Sequence, residues 1–494
     1  MASYVGAIDQ GTTSTRFVIV DEAGSFVAMS QMEHEQIFPA PGWVEHSPNE
    51  IYANTQAVIA SALAQASLGA SDLAAVGITN QRETAVVWDR ETGAPVANAI
   101  VWQDTRTSEL ARNLAKNPGV DAVRQMTGLP PATYFSGPKV RWLLDNHDGL
   151  AERARNGELA FGTMDSWLAF NLTGRHVTDV TNASRTLLMD IERCSWDPTL
   201  CEAVGVPMAM LPEIVPSIGA IAPCTGVLEG TTLTAILGDQ HAALVGQAGF
   251  SPGDTKVTYG TGAFLVSNTG TTVVRSQAGL LTTVGYQIAG QPVTYALEGS
   301  VAIAGAGVQW LRDNLGLVSN AQEIEALAAT VPDNGDVYFV PAFSGLFAPY
   351  WRDDARGVIV GLTRFANRGH IARAVLEATA YQTRDVIAAM ERDTSRRLEE
   401  VRVDGGMVDN ALLMQFQSDI LDVDVVVPSV VETTVLGAAF GAGLACGMWG
   451  SLDEVAAHWR EGKRYRPSMA DVDREPLLTG WAKAIDRSMG WITR

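Results

Sequence analysis

The chain has 494 residues, too many for one ordinary core, so two domains of ~200–250 residues each are expected. A hydrophobic share of 47% with 18% charged residues excludes a disordered or fibrous chain, and 35 Lys+Arg against 55 Asp+Glu, a net charge of −20, disfavours binding to nucleic acid or to an anionic membrane. Four cysteines, Cys194, Cys201, Cys224 and Cys446, with no CxxC pair and no zinc-type spacing, exclude a disulfide scaffold and fit a reducing cytoplasm.

From the start of the chain, Tyr4–Ile8 and Phe17–Val20 read as short strands joined by the polar turn Asp9–Thr15, with a third apolar run near Phe26–Met29. Met1–Val20 has no basic n-region and its apolar stretch is broken by Asp9 and Gln10, so it is not read as a signal peptide. Ser47-Pro48-Asn49-Glu50 has the spacing of a capping box and leads into a helical pattern over Ile51–Ala66. Leu73–Ile78 and Thr84–Trp88 predict strands around the polar loop Thr79–Glu83, and Thr231–Leu237 a strand running into Gly238-Asp239-Gln240 and a helix.

A second β-rich start follows: Thr255–Tyr259, the turn Gly260-Thr261-Gly262, Ala263–Ser267, and strands near Thr283–Gln287 and Pro292–Leu297. Helices are expected over Val301–Asn314, His370–Met390 and Leu412–Leu421, alternating with strands near Val337–Val340 and Glu400–Val403, so this half also reads as α/β. The boundary is placed in the Gly/Pro-rich stretch Gln247–Pro252, giving units 1–247 and 248–494. Val435–Gly450 falls short of the ~20 residues of a membrane span and is expected to be a buried helix whose Gly437 and Gly441 let another backbone approach.

Polar residues gather at strand ends, where ligands bind in open α/β sheets. Read alone, the turn from Asp9 through Gly11, Thr12, Thr13 and Ser14 to Arg16 is an ordinary hairpin. Its N–H groups and hydroxyls could also donate to phosphate, with Arg16 neutralising charge and Asp9 holding magnesium through water. The turn Tyr259–Gly262 occupies the matching place in the second half, so two phosphate-binding hairpins are expected to face one another across a cleft. Asp404-Gly405-Gly406 precedes a helix, where glycine lets a nucleotide approach backbone and Asn410 can hydrogen-bond the base.

No GxxxxGK[ST] loop and no protein-kinase motif set is present, which leaves the actin-like ATPase fold as the framework for phosphoryl transfer. Asp239, at a strand end and a helix start, reads as a helix cap or as a general base accepting an alcohol's proton, and the two roles are compatible. Arg82-Glu83 reads as a surface ion pair or as a grip on neighbouring hydroxyls of a polyol. Trp102, Tyr134 and Phe264 are candidates to pack on its carbon side.

With these residues in view, the sequence resembles the FGGY carbohydrate kinases over essentially its whole length. The matching strings include Asp9–Ser14, Pro41–His46, Thr79–Thr84, Tyr134–Gly137, Thr181–Thr186, Gly238–Gln240, Tyr259–Gly262, Tyr295–Gly299 and Asp404–Gly406. The resemblance implies an actin-like (ribonuclease H-like) α/β fold of two similar domains flanking a cleft. It also implies transfer of the γ-phosphoryl of MgATP to glycerol, giving sn-glycerol 3-phosphate.

Carried onto matching positions, it implies that Arg82, Glu83, Tyr134, Asp239 and Gln240 contact glycerol, with Trp102 and Phe264 walling the pocket and Asp239 as base. Thr12, Thr13, Ser14, Arg16, Thr261, Gly305, Gln309, Gly406 and Asn410 would contact the nucleotide, with Asp9 and Asp239 near Mg2+. The resemblance also implies a homo-oligomer, dimer or tetramer, in the cytoplasm.

The sequence departs from the family at His241, usually glutamine, at Val257 and at Pro130–Thr133. No bisphosphate-binding loop is recognisable around Val227–Thr234, and no phosphorylated histidine, so neither form of control is expected. Rival readings are a kinase for a pentulose or another small polyol, a non-kinase ATPase or filament protein on the same fold, and an inactive regulatory relative.

Overall fold

The computed structural model describes residues 4–492; Met1–Ser3 and Thr493–Arg494, the outer ends of the two expected units, lie outside it. The first half is built on strands β1 Tyr4–Gln10, β2 Ser14–Asp21, β3 Phe26–Glu33, β4 Leu73–Asn80, β5 Ile218–Pro223 and β6 Thr232–Gly238. The second is built on β7 Thr255–Tyr259, β8 Ala263–Gly270, β9 Leu281–Tyr286, β10 Thr294–Val301, β11 Glu400–Asp404, β12 Asp424–Pro428 and β13 Glu461–Tyr465. The sheets run β5-β6-β4-β1-β2-β3 and β9-β10-β8-β7-β11-β12-β13.

Both sheets carry the same inner pattern. An antiparallel meander (β1-β2-β3; β7-β8-β10) has its first strand flanked by two successive parallel neighbours (β4 and β6; β11 and β12). This repeated α/β topology is the actin-like fold, and it places the β1–β2 and β7–β8 hairpins at corresponding positions.

The helices that matter below are α1 Pro48–Ala66, α2 Ser136–Asn146, α3 Met164–Thr173, α4 Val180–Ala183, α5 Asp239–Gly246, α6 Gly305–Asp313, α7 Arg368–Thr394, α8 Ala411–Leu421 and α9 Thr433–Cys446. Strand alternation divides the first sheet between two cores. Ile8, Phe17, Ile19 and Ile78 pack with Ile51, Val58 and Trp167 of α1 and α3, while Val5, Ala7, Val18, Val20 and Leu237 pack with Ala242, Val245, Val435 and Ala438 of α5 and α9. A helix from late in the chain thus covers one face of the first sheet. A Cβ on Gly437 would overlap the Ala242 carbonyl oxygen and one on Gly246 that of Thr433, so the α5–α9 crossing requires glycine on both sides.

Two local expectations are corrected. Ser47 does cap α1, accepting from the Glu50 N–H at 3.3 Å, but the Glu50 carboxylate accepts from the Glu35 N–H at 3.1 Å instead of closing the box. Val301 belongs to β10, paired with Ala263, and α6 begins only at Gly305; pairing across the sheet overrides the local helical pattern.

Candidate functional site

The β1–β2 turn is closed by the Gly11 N–H donating to the Ser14 carbonyl at 2.9 Å, and the β7–β8 turn by the Gly260 N–H donating to the Gly262 carbonyl at 2.8 Å. Between them lies a cavity of about 260 Å³ lined by Thr12, Thr13, Gln36, Arg82, Glu83, Trp102, Gln103, Tyr134, Asp239, Gln240, Thr261, Gly262 and Phe264. A second cavity, of about 420 Å³, shares Thr261 and is lined by Gly305, Gln309, Gly406 and Asn410 among others.

Three residues named from the sequence stand apart from both linings. Ser14 Oγ accepts from Gln31 at 3.0 Å, Arg16 is paired with Glu432, and Asp9 lies in β1, opposite Arg16 of β2. Asn410 caps α8, its Oδ1 accepting from the Leu413 N–H at 2.8 Å, which leaves its amide nitrogen as the group available to a base.

Asp239 is the first residue of α5, with Gly238 as the cap, so its carboxylate sits at the positive end of the helix dipole. Its Oδ1 is 3.0 Å from Arg82 Nε. The two terminal nitrogens of Arg82 grip Glu298 of β10, at 2.5 and 2.9 Å. Arg185 donates to Glu83 at 2.6 Å and to Glu298 at 3.2 Å, and its guanidinium lies 5.6 Å from the Tyr134 ring centroid.

The surface reading of Arg82-Glu83 is therefore replaced by a buried network in which Glu298, from the second half, holds two arginines of the first. Burial alone would raise the Glu298 carboxyl, but Arg185 and Arg82 hold it at about 2. Burial wins at Glu83, whose carboxyl is raised although Arg82 and Arg185 oppose the shift.

Sequence reasoning missed Arg185, Glu298 and Lys256. A charge in the middle of an apolar strand, as in Tyr295-Ala296-Leu297-Glu298, is the signal that could have found Glu298. Lys256 on β7 donates to Gln240 Oε1 and, at 2.9 Å, to Thr258 Oγ1; burial lowers its ammonium to about 8 against the pull of Asp404 and Asp239.

Trp102 stands edge-on to Tyr134 and Phe264, at 5.7 and 6.1 Å between centroids, and donates from Nε1 to Thr12 Oγ1 at 3.0 Å. The departures at His241 and Val257 fall outside both linings. Val257 is buried in the core of the second half, and His241 Nε2 lies 3.4 Å from Thr283 Oγ1 with burial keeping the ring neutral.

Burial raises the Asp9 carboxyl to about 6; Arg16 opposes the shift, and Asp239 and Glu432 add to it. No group of three or more metal-type side chains gathers among the described residues. The Asp9 and Asp239 carboxylates, in mutual repulsion, nevertheless suit magnesium, which usually takes one or two carboxylates and completes its shell with water and phosphate.

Two family models match the chain: the FGGY family of carbohydrate kinases, N-terminal domain, over residues 4–246, and its C-terminal domain over residues 255–446. The chain is 60% identical to a glycerol kinase of Rhizorhabdus wittichii over 502 residues, covering 100% of this chain and 98% of the relative. It is 58% identical to one of Chloroflexus aurantiacus over 497 residues, covering 100% of both. Among solved structures it is similar to Plasmodium falciparum glycerol kinase with ADP, at a TM-score of 0.92 and 39% identity over 99% of each chain. The xylulose kinase of Lactobacillus acidophilus, at a TM-score of 0.87 and 23% identity over 99% of each chain, shares the fold.

Proposed function

The chain belongs to the FGGY family of carbohydrate kinases, and on that premise we propose that it phosphorylates glycerol with ATP, giving sn-glycerol 3-phosphate and ADP. The observation that carries this reading is the pair of adjoining cavities meeting at Thr261. The smaller, about 260 Å³, holds the acid, cation and aromatic wall that suit a short polyol; the larger opens at the start of α6 and beside Gly406, where backbone can approach a nucleotide.

In this reading Arg82, Glu83, Tyr134 and Gln240 hold the hydroxyls, Trp102 and Phe264 cover the carbon chain, and Asp239 accepts the proton of the attacking hydroxyl. Thr12, Thr13, Thr261, Gly305, Gln309, Gly406 and Asn410 hold ATP, and Ser14 and Arg16, at the start of β2, complete the set on the side of the first turn. Asp9 and Asp239 would hold Mg2+, which when bound neutralises charge on the transferred phosphoryl. Lining by both halves supports exclusion of water as they close, which protects the γ-phosphoryl from hydrolysis.

We draw the division between the halves at 247/248, supported by the two family matches and by the segment 247–254 that links α5 to β7. A homo-oligomer, dimer or tetramer, and a cytoplasmic setting are carried forward with the family. No helix among the described residues is long and apolar enough to cross a membrane, and the four cysteines form no disulfide.

The test is kcat/KM with MgATP for glycerol, dihydroxyacetone, erythritol, ribitol and xylulose. Glycerol is expected to lead by tenfold or more, ~1.4 kcal/mol of discrimination. A lead for xylulose would overturn the substrate while keeping the ATP site; hydrolysis that glycerol does not stimulate would favour a non-kinase ATPase.

A further inference from the structure

The string Thr181–Thr186 matches the family, yet only Arg185 within it touches the residues assigned above. Its first member lies on α4, a single buried turn that bonds to the paired ends of β4 and β6. Asp179 caps this turn: its Oδ1 accepts from the Asn182 N–H and from the Thr181 hydroxyl, both at 2.9 Å, and its Oδ2 accepts from the Thr181 N–H at 2.9 Å and from the Ser217 hydroxyl at 2.7 Å. With its proton committed to Asp179, the Thr181 oxygen is left as an acceptor. It takes the Gly238 N–H at 2.9 Å.

Gly238 is the residue on which Asp239 turns. A Cβ built there would come within 2.7 Å of Arg82 Cγ and Cδ and 2.9 Å of His241 Nδ1, so the peptide is clamped beneath the arginine that faces Asp239. The other arm of the same turn reaches β4: Asn182 and Asn80 exchange side-chain amide hydrogen bonds at 3.0 and 3.1 Å, and Asn80 directly precedes Gln81-Arg82-Glu83. One buried turn therefore ties the strand that delivers Asp239 to the strand that delivers Arg82.

We infer that Thr181 is a positioning residue for phosphoryl transfer: its hydroxyl fixes the Gly238 peptide and, through it, the direction of the Asp239 carboxylate. The inference rests on Asp239 being the base. A buried N–H that loses its acceptor must find another or move, and the peptide that moves here carries the base. The nucleotide-side residues Gly305, Gln309, Gly406 and Asn410 belong to other elements and do not feel the change.

Thr181→Val removes the hydroxyl and keeps the volume. It is expected to lower kcat for glycerol at least tenfold while KM for ATP stays within twofold; Thr181→Ser, which restores the acceptor, is expected to return kcat to within threefold of the parent. If the valine variant does not accumulate folded, Thr181→Ala carries the same test. A hydroxyl-free variant within twofold of the parent, or a serine variant as slow as it, would overturn the inference in favour of packing alone. Asp239→Asn is measured alongside: if it keeps turnover the base assignment itself fails, whereas an inactive Asp239→Asn beside a fully active Thr181→Val sinks only the role of Thr181.

Discussion

Asp165 of α3 is buried, its carboxylate accepting from the hydroxyls of Thr163 at 2.5 Å and Thr178 at 2.7 Å. Burial, with Asp179 nearby, raises this carboxyl to about 7 from 3.8, against the effect of those hydroxyls. The folded state then binds a proton that the unfolded state gives up between about pH 4 and pH 7, so this group's contribution to stability is present below the unfolded value and lost as pH rises through the folded one. Asp165→Asn removes the ionisation and keeps the shape. Thermal unfolding of the two proteins should show the variant gaining on the parent between pH 5 and pH 8 by at least ~2–4 °C, the shift about 1 kcal/mol gives in a domain of this size. A constant difference across that range would place the proton elsewhere. At this scale Thr12, Thr13, Arg82, Glu83, Asp239 and Gln240 of the first lining were legible because they sit in short turns and at strand ends, whereas Gln36 and Gln103 of the same lining were not named. Arg185 and Glu298 were not legible, since they reach partners 102 to 216 positions away, a distance at which spacing carries no information.

Helices could be read where capping and apolar period agreed, as in α1, and less well where pairing decides. The apolar run from Val435 was recognised as a buried helix with small residues. Which backbone approaches it was not, because α5 lies nearly two hundred positions earlier and nothing in either sequence names the other. The contact predicts a strong asymmetry between the two glycines of α9. Gly437 faces the α5 carbonyls without room for a methyl, whereas a Cβ on Gly441 would meet only the side chains of Ala235 and Ile218, at 3.1 and 3.3 Å. Gly437→Val should lower the midpoint of urea unfolding by an amount equivalent to ~1–3 kcal/mol or more, as overpacked cores do. Gly441→Ala should cost less. Equal effects would mean that the helices separate easily.

Across the whole molecule, the repeat of one strand order in two sheets was visible in outline from the two meanders and their Gly/Thr turns. The sharing of structure between the halves was invisible. It takes two forms: Glu298 reaching from β10 to Arg82 and Arg185, and α9 leaving the second half to lie on the first sheet. A fragment ending at residue 247 would carry the six-stranded sheet with the face made by Val5, Ala7, Val18, Val20 and Leu237 covered by α5 but stripped of α9. Such a fragment is expected to bind a hydrophobic dye and to melt without a cooperative transition; a sharp transition would show that its other core suffices.

The same arrangement sets an order of events during synthesis. Residue 433 must leave the ribosome before the sheet that began at Tyr4 can close its second face, so the earliest part of the chain waits longest for its partner and depends meanwhile on whatever shields exposed apolar surface in the cell. A premature stop anywhere before Thr433 would strip a face from the beginning of the protein as well as shorten its end.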